Sequence, residues 1–126
     1  MNQHSASPAF IFDLDGTLID SVYQQVLAWR EALERGGIQL AIWRIQRRIG
    51  MSGGLLVNAL LRETHGQIDA AEAARLQQLH ADAYAKLVGQ VRPLAGAKEL
   101  LAYLAKSGVP QVRYAKPDPR SIPCRC

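Results

Sequence analysis

Two carboxylates, Asp13 and Asp15, stand two residues apart and are followed at once by Gly16 and Thr17. They close an unbroken apolar run, Ala9-Phe-Ile-Phe12, so groups that hold charge are delivered at the end of a segment that avoids water. Removing two acidic side chains from water is unfavourable unless a cation or a hydrogen-bond network compensates them. A divalent metal, which prefers hard oxygen donors, is the natural third party. Gly16 lets the backbone turn sharply straight afterwards. The plainer alternatives are a turn whose aspartates cap backbone N–H groups, or a fragment of a calcium loop. A calcium loop needs more oxygen ligands and a late Glu, which Thr17-Leu-Ile-Asp-Ser-Val22 does not supply.

The apolar run that positions this pair is short, aromatic and β-branched. It reads as a strand buried on both faces, of the kind found in parallel sheets, whose carboxyl ends are where open α/β sheets place their ligands. Asp-x-Asp-Gly-Thr after such a strand resembles the first motif of the haloacid dehalogenase-like superfamily of phosphohydrolases. The resemblance implies an α/β fold, a Rossmann-like core with an inserted α-helical cap. It also implies Asp13 as the nucleophile that takes the phosphoryl group, Asp15 as the general acid that protonates the leaving alkoxide, Gly16 and Thr17 against the phosphate, and Mg2+ held by Asp13 and Asp15. The residue types agree with these roles, since a carboxylate can attack phosphorus and a second carboxyl can shuttle the proton. A halide leaving group needs no proton, so Asp15 favours a phosphatase over a dehalogenase.

The rest of the chain reads as helices. Val22, Val26, Trp29 and Leu33 recur at helical spacing from about Ser21 to Arg35, and Gly36-Gly37 closes the segment. A shorter helix carries Ile42, Ile45 and Ile49 and ends at Gly50, and Ser52 is placed to cap a third with Leu55, Leu56, Ala59 and Leu60 on its inner face, stopped by Gly66. Asp69-x-x-Glu72 has the form of a capping box opening a long helix with Leu76, Leu79, Ala83, Leu87 and Val91 inward, broken by Pro93. A last helix spans about Gly96 to Lys106, with Leu100, Leu101 and Leu104 inward.

One strand followed by roughly seventy helical residues is an unusual order for a compact α/β layer and fits a helical domain inserted after the first strand. This divides the chain into a first core strand and catalytic loop (1–19), a helical cap (20–92), a return helix of the core (93–110) and an irregular tail (111–126). The stretch Arg47-Arg-Ile-Gly-Met-Ser-Gly-Gly54 resembles the cap segment of phosphoglycolate-phosphatase-like and β-phosphoglucomutase-like members of the superfamily. That resemblance turns Arg47 or Arg48 toward the substrate, with Ser52, Gly53 and the nearby backbone amides. A guanidinium beside free amides at a helix start suits an anion. Alternatively, Arg44, Arg47 and Arg48 are the solvated face opposite the three isoleucines. His65 and His80 sit on helices without a partner cluster and read as surface or half-buried structural residues.

After Val109-Pro110 the family leads into a second strand ending in a phosphate-binding Ser or Thr, and no such strand is legible. Gln111-Val-Arg-Tyr-Ala runs directly to Lys116-Pro-Asp-Pro119, which resembles the family's third motif, where a Lys stabilises phosphoryl charge. The acidic metal-binding motif expected next is replaced by Arg120-Ser-Ile-Pro-Cys-Arg-Cys126. The expectation is an internally deleted or frame-disrupted family member whose first strand lacks neighbours and is open to self-association.

Composition bounds the function only loosely. The 126 residues carry a net charge of +4, but residues 1–110 hold 11 Lys and Arg against 10 Asp and Glu, whereas 111–126 hold four against one. The excess lies in the tail and no helix carries a basic stripe with interleaved aromatics, so nucleic acid is not an expected partner. No apolar stretch is long enough to span a bilayer and the N-terminus lacks a signal peptide's pattern, so a cytoplasmic setting without membrane contact is expected. Cys124 and Cys126 read as exposed tail thiols. The expected function is a magnesium-dependent phosphatase of a small phosphorylated metabolite. The alternatives are a catalytically inactive helical binding module and a phosphomutase using the same aspartates.

Overall fold

The computed structural model describes residues 9–51, 53–63 and 68–114. Strand β1, Phe10–Asp13, runs outward to the acidic motif, and the chain turns through residues 14–18 into the two-residue strand β2, Ile19–Asp20. Helices α1 (Val22–Arg35), α2 (Ile42–Gln46), α3 (Gly53–Glu63) and α4 (Ala70–Leu87) follow. A 3-10 turn then leads to β3, Arg92–Pro93, helix α5 (Ala97–Lys106) and β4, Gln111–Tyr114. β2 pairs antiparallel with β3, Ile19 opposite Pro93 and Asp20 opposite Arg92. The chain therefore leaves for the four helices and returns from them through adjacent strands.

Local chemistry accounts for the helix ends. At the end of α1, Gly37 adopts φ 78°, its N–H donates to Glu34 O, and Ile38 N–H donates back to Leu33 O. This paired bonding satisfies carbonyls that the helix would otherwise leave open, and it needs a residue tolerant of positive φ. The same pattern ends α5, where Gly108 N–H donates to Ala105 O and Val109 N–H to Leu104 O. α4 opens on Asp69, whose carboxylate accepts from Glu72 N–H at 2.8 Å, as the capping-box reading expects.

The main core lies among the helices. Val26, Trp29, Ala32 and Leu33 of α1, Ile45 of α2, Leu56 and Val57 of α3 and Leu76 of α4 are buried together. α1 and α4 approach so closely that a Cβ added at Gly36 would stand 2.5 Å from Leu76 Cδ2. Against the strands, Leu18, Ala97 and Leu104 are buried.

Four sequence expectations need correction. Residues 111–126 are not irregular throughout, because 111–114 form β4, parallel to β1 with Phe10 opposite Gln111 and Asp13 opposite Tyr114. A strand does therefore follow α5 and β1 is not unpaired, but β4 ends at Tyr114 and not in the Ser or Thr of the family pattern. Four residues carrying only Val and Tyr as strand formers gave no local period, and the pairing is with a segment a hundred residues earlier. β1 is also not buried on both faces, since Phe10 and Ile11 are 49% and 74% exposed. The described chain supplies one neighbouring strand and one helix, not the two covering layers that a central parallel strand requires. Finally, Leu55 and Leu100, expected inward, are exposed, and Val57 takes the buried place on α3. Ser52, Gly66 and Lys116 lie outside the described residues.

Candidate active site

Asp13 ends β1 with its side chain exposed, opposite Tyr114 in the ladder. The loop behind it is tightly wound: the N–H groups of Thr17, Leu18 and Ile19 all donate to Leu14 O, and Gly16 N–H donates to Ile19 O at 2.8 Å. Gly16 has φ 76°, and a Cβ there would meet Val22 Cγ2 at 3.0 Å, so conformation and space both ask for glycine. Thr17 is exposed on the same loop. A strand end followed by this turn presents both aspartates beyond the sheet's carboxyl edge, where parallel sheets bind ligands.

The two carboxylates live in different surroundings. Asp15 is half-buried, and its Oδ1 accepts from the Ser21 hydroxyl at 2.5 Å and from Gln25 Nε2 at 3.3 Å. Ser21 is fully buried at the start of α1 and spends its hydroxyl on Asp15 rather than on capping its own helix. Gln25 Oε1 in turn lies 2.9 Å from His80 Nε2 on α4, and the His80 ring stacks on Trp29 at 4.1 Å and near Tyr84 at 6.2 Å. Burial first, and then the Asp15 charge, push the Tyr84 hydroxyl above its ordinary pKa, with a hydrogen bond to Ser21 acting in the opposite sense. A phenol beside a carboxylate in a partly desolvated place resists ionising.

The structure therefore joins Asp15, Ser21, Gln25, His80 and Tyr84, of which only Asp15 was singled out from sequence as a site residue. The reading of His80 as a residue without a partner cluster is corrected. Ser21 and Gln25 are polar residues at four-residue spacing leading to Trp29, and His80 and Tyr84 are spaced alike. That is the one sequence signal that could have found them.

The contacts described for the cap-side candidates are local to the cap. Arg47 is exposed, with its guanidinium 5.7 Å from the centre of the Trp43 ring, over which Arg44 also lies at 5.2 Å. Arg48 is half-buried and its N–H donates to Ile45 O. Gly53 opens α3. The contacts described for Arg47 tie it to Trp43, not to the aspartates. A surface cavity of about 650 Å3 lined by Arg30, Glu34, Gln39, Leu40, Ala41 and Ile42 includes no residue of the motif, so chemistry and not cavity size locates the site. Among the described residues, no three His, Cys, Asp or Glu side chains cluster as a ready metal cage.

Known proteins similar to this chain define its family. The profile of the family described as "Hydrolase: haloacid dehalogenase-like hydrolase" matches residues 8–122. The chain belongs to that family, with its α/β Rossmann-like core and helical cap. A hydrolase of solved structure from Pseudomonas syringae superposes with a TM-score of 0.83 at 51% identity, over 87% of this chain and 50% of that one. Phosphoglycolate phosphatases from Pseudomonas putida and Mesorhizobium japonicum are 34% and 31% identical, over 79% and 80% of this chain. The chain spans 38% and 45% of those two proteins' own lengths.

Proposed function

We propose that this chain carries the reacting carboxylate pair and the cap of a phosphatase acting on a small phosphorylated metabolite through an aspartyl-phosphate. The observation that carries the reading is the contrast between the two carboxyl groups: Asp13 exposed at the strand end, and Asp15 held at one oxygen by two donors. A nucleophile must be open to its target, whereas a proton donor must be aimed. In the first step an Asp13 oxygen attacks phosphorus and the bond from phosphorus to the alkyl oxygen breaks, while Asp15 passes its proton to the departing alkoxide. In the second step Asp15, now a carboxylate, takes a proton from water as that water attacks phosphorus, and Asp13 is released with inorganic phosphate. Oδ1 of Asp15 is occupied by Ser21 and Gln25, which leaves Oδ2 to carry the proton.

The exposed Asp13 carboxylate is a hard oxygen donor, and magnesium is commonly held by one or two carboxylates with water and substrate phosphate oxygens completing its octahedron, so Asp13 fits it. The Asp15 side chain, with Oδ1 taken by Ser21 and Gln25 and Oδ2 by the proton, is kept for proton transfer. When bound, magnesium would offset charge on the phosphoryl oxygens. Thr17 and Gly16 would face the phosphate, while Arg47, Arg48, Ser52 and Gly53 of the cap and Lys116 beyond β4 would meet the substrate's anionic parts. The segments 1–19, 20–92 and 93–110 serve as catalytic strand, cap and return, with β4 added to the core. Phosphoglycolate, named in two relatives, is the first substrate to try. A cytoplasmic setting suits such a substrate.

Turnover of an alkyl and an activated aryl phosphate by the full chain with magnesium tests the assignment. Asp13→Asn should abolish both. Asp15→Asn should slow the alkyl ester by about a hundredfold to ten-thousandfold and spare much of the aryl rate, because a good leaving group needs little protonation. Alkyl turnover that survives Asp13→Asn contradicts the reading. Wild-type protein without turnover favours the inactive binding module.

A further inference from the structure

The hydrogen bonds that reach Asp15 from the cap have a fixed direction. With the catalytic proton placed on Oδ2, Oδ1 of Asp15 only accepts, so the end of the Gln25 carboxamide within 3.3 Å of it is the NH2 group. The Gln25 carbonyl oxygen then faces His80 Nε2 at 2.9 Å, and a carbonyl oxygen also only accepts. His80 must therefore carry its hydrogen on Nε2. The ring that presents this hydrogen is set by a stack on Trp29, 4.1 Å between centroids and 16° between planes, and Trp29 itself is only 5% exposed. The sequence spacing builds the arrangement: Ser21, Gln25 and Trp29 recur every fourth residue along α1, and His80 and Tyr84 lie one turn apart on the face of α4 that meets them.

We propose that His80 is a positioning residue for the Asp15 carboxyl group, acting through the Gln25 carboxamide. The histidine holds the amide with its NH2 toward Asp15, and the amide and Ser21 together occupy Oδ1, which leaves Oδ2 for the proton. The setting of a group on the catalytic loop thereby depends on how α4 packs on α1. This rests on the reading of Asp15 as the proton donor, but the hydrogen-bond chain can be observed whether or not the protein turns over substrate.

Side-chain NMR of the isotopically labelled full chain, at about pH 8 where an ordinary histidine is neutral, reads each link. The His80 ring should be the Nε2–H tautomer. Gln25→Leu should shift the His80 Nε2 signal and the Asp15 carboxyl carbon together, with the Trp29 indole signal in place. His80→Ala should shift the Asp15 carboxyl carbon, and His80→Gln, whose amide returns a donor at a similar reach, should bring it back toward the wild-type position. A histidine that merely fills space on Trp29 would leave the Asp15 carbon unmoved and would gain nothing from the glutamine. An Nδ1–H tautomer, or an Asp15 signal indifferent to Gln25→Leu, overturns the proposal. Should His80→Ala fail to fold, Gln25→Leu still decides it from the middle of the chain. Equal slowing of alkyl and aryl esters by Asp15→Asn would instead count against the proton-donor reading and leave this hydrogen-bond result intact.

Discussion

Asp13 and Asp15 are two residues apart in sequence but differ in almost everything that decides reactivity. One is open at a strand end, and the other shares an oxygen with a buried serine and a glutamine whose far side is bonded to His80. The pair itself was legible because two carboxylates after an apolar run contradict the local preference for burial, and such contradictions mark function. The partners of Asp15 were not legible, because Ser21, Gln25, His80 and Tyr84 come together only when α4 packs on α1, fifty-five residues separating Gln25 from His80. Tyr84 carries a pH signature of this packing. Its folded pKa lies above the ordinary 10.0, so its contribution to stability is complete below that value and is lost as pH rises past it, when the unfolded chain ionises first. Melting temperature should therefore fall above about pH 10, and Tyr84→Phe should flatten that fall. An unchanged pH profile in Tyr84→Phe would count against the placement of its hydroxyl.

Helices were the readable elements, since a 3.6-residue period, an Asp69–Glu72 capping pair and Gly-rich ends are local signals. Strand β4 was not, and neither was the β2–β3 pairing, because two- and four-residue ladders depend on partners far away in sequence. The expected inward faces of α3 and α5 were partly misjudged at Leu55 and Leu100, where the apolar set is wider than the surface the neighbouring helices cover. The same accounting ranks two substitutions on α4. Leu76 is fully buried between α1 and α4, so Leu76→Ala should cost about 2–5 kcal/mol through lost burial and the cavity left behind. Asp69→Ala removes one cap hydrogen bond and should cost about 1 kcal/mol. Chemical denaturation of both variants checks the order. A larger loss at Asp69 than at Leu76 would mean that the helical core is not where the stability resides.

At the scale of the molecule, most buried apolar side chains among the described residues belong to the helical cap, while the sheet that carries Asp13 is the parallel pair β1 and β4 with Phe10 and Ile11 exposed. Among the described residues β1 is paired on one edge only, by β4, and an apolar strand open on its other edge offers unpaired N–H and C=O groups to any similar strand. Sedimentation velocity should therefore show concentration-dependent association of the full chain, and Ile11→Lys should suppress it by placing a charge on the strand. A monomer at every concentration would show that other residues cover this face. The central claim, that Asp13 takes a phosphoryl group, is tested most directly by incubating the full chain with magnesium and a small acyl phosphate, quenching in acid and measuring the intact and peptide masses. The account predicts one added phosphoryl group, confined to the peptide that contains Asp13 and absent from Asp13→Asn. An adduct elsewhere, or one that persists in Asp13→Asn, would contradict it.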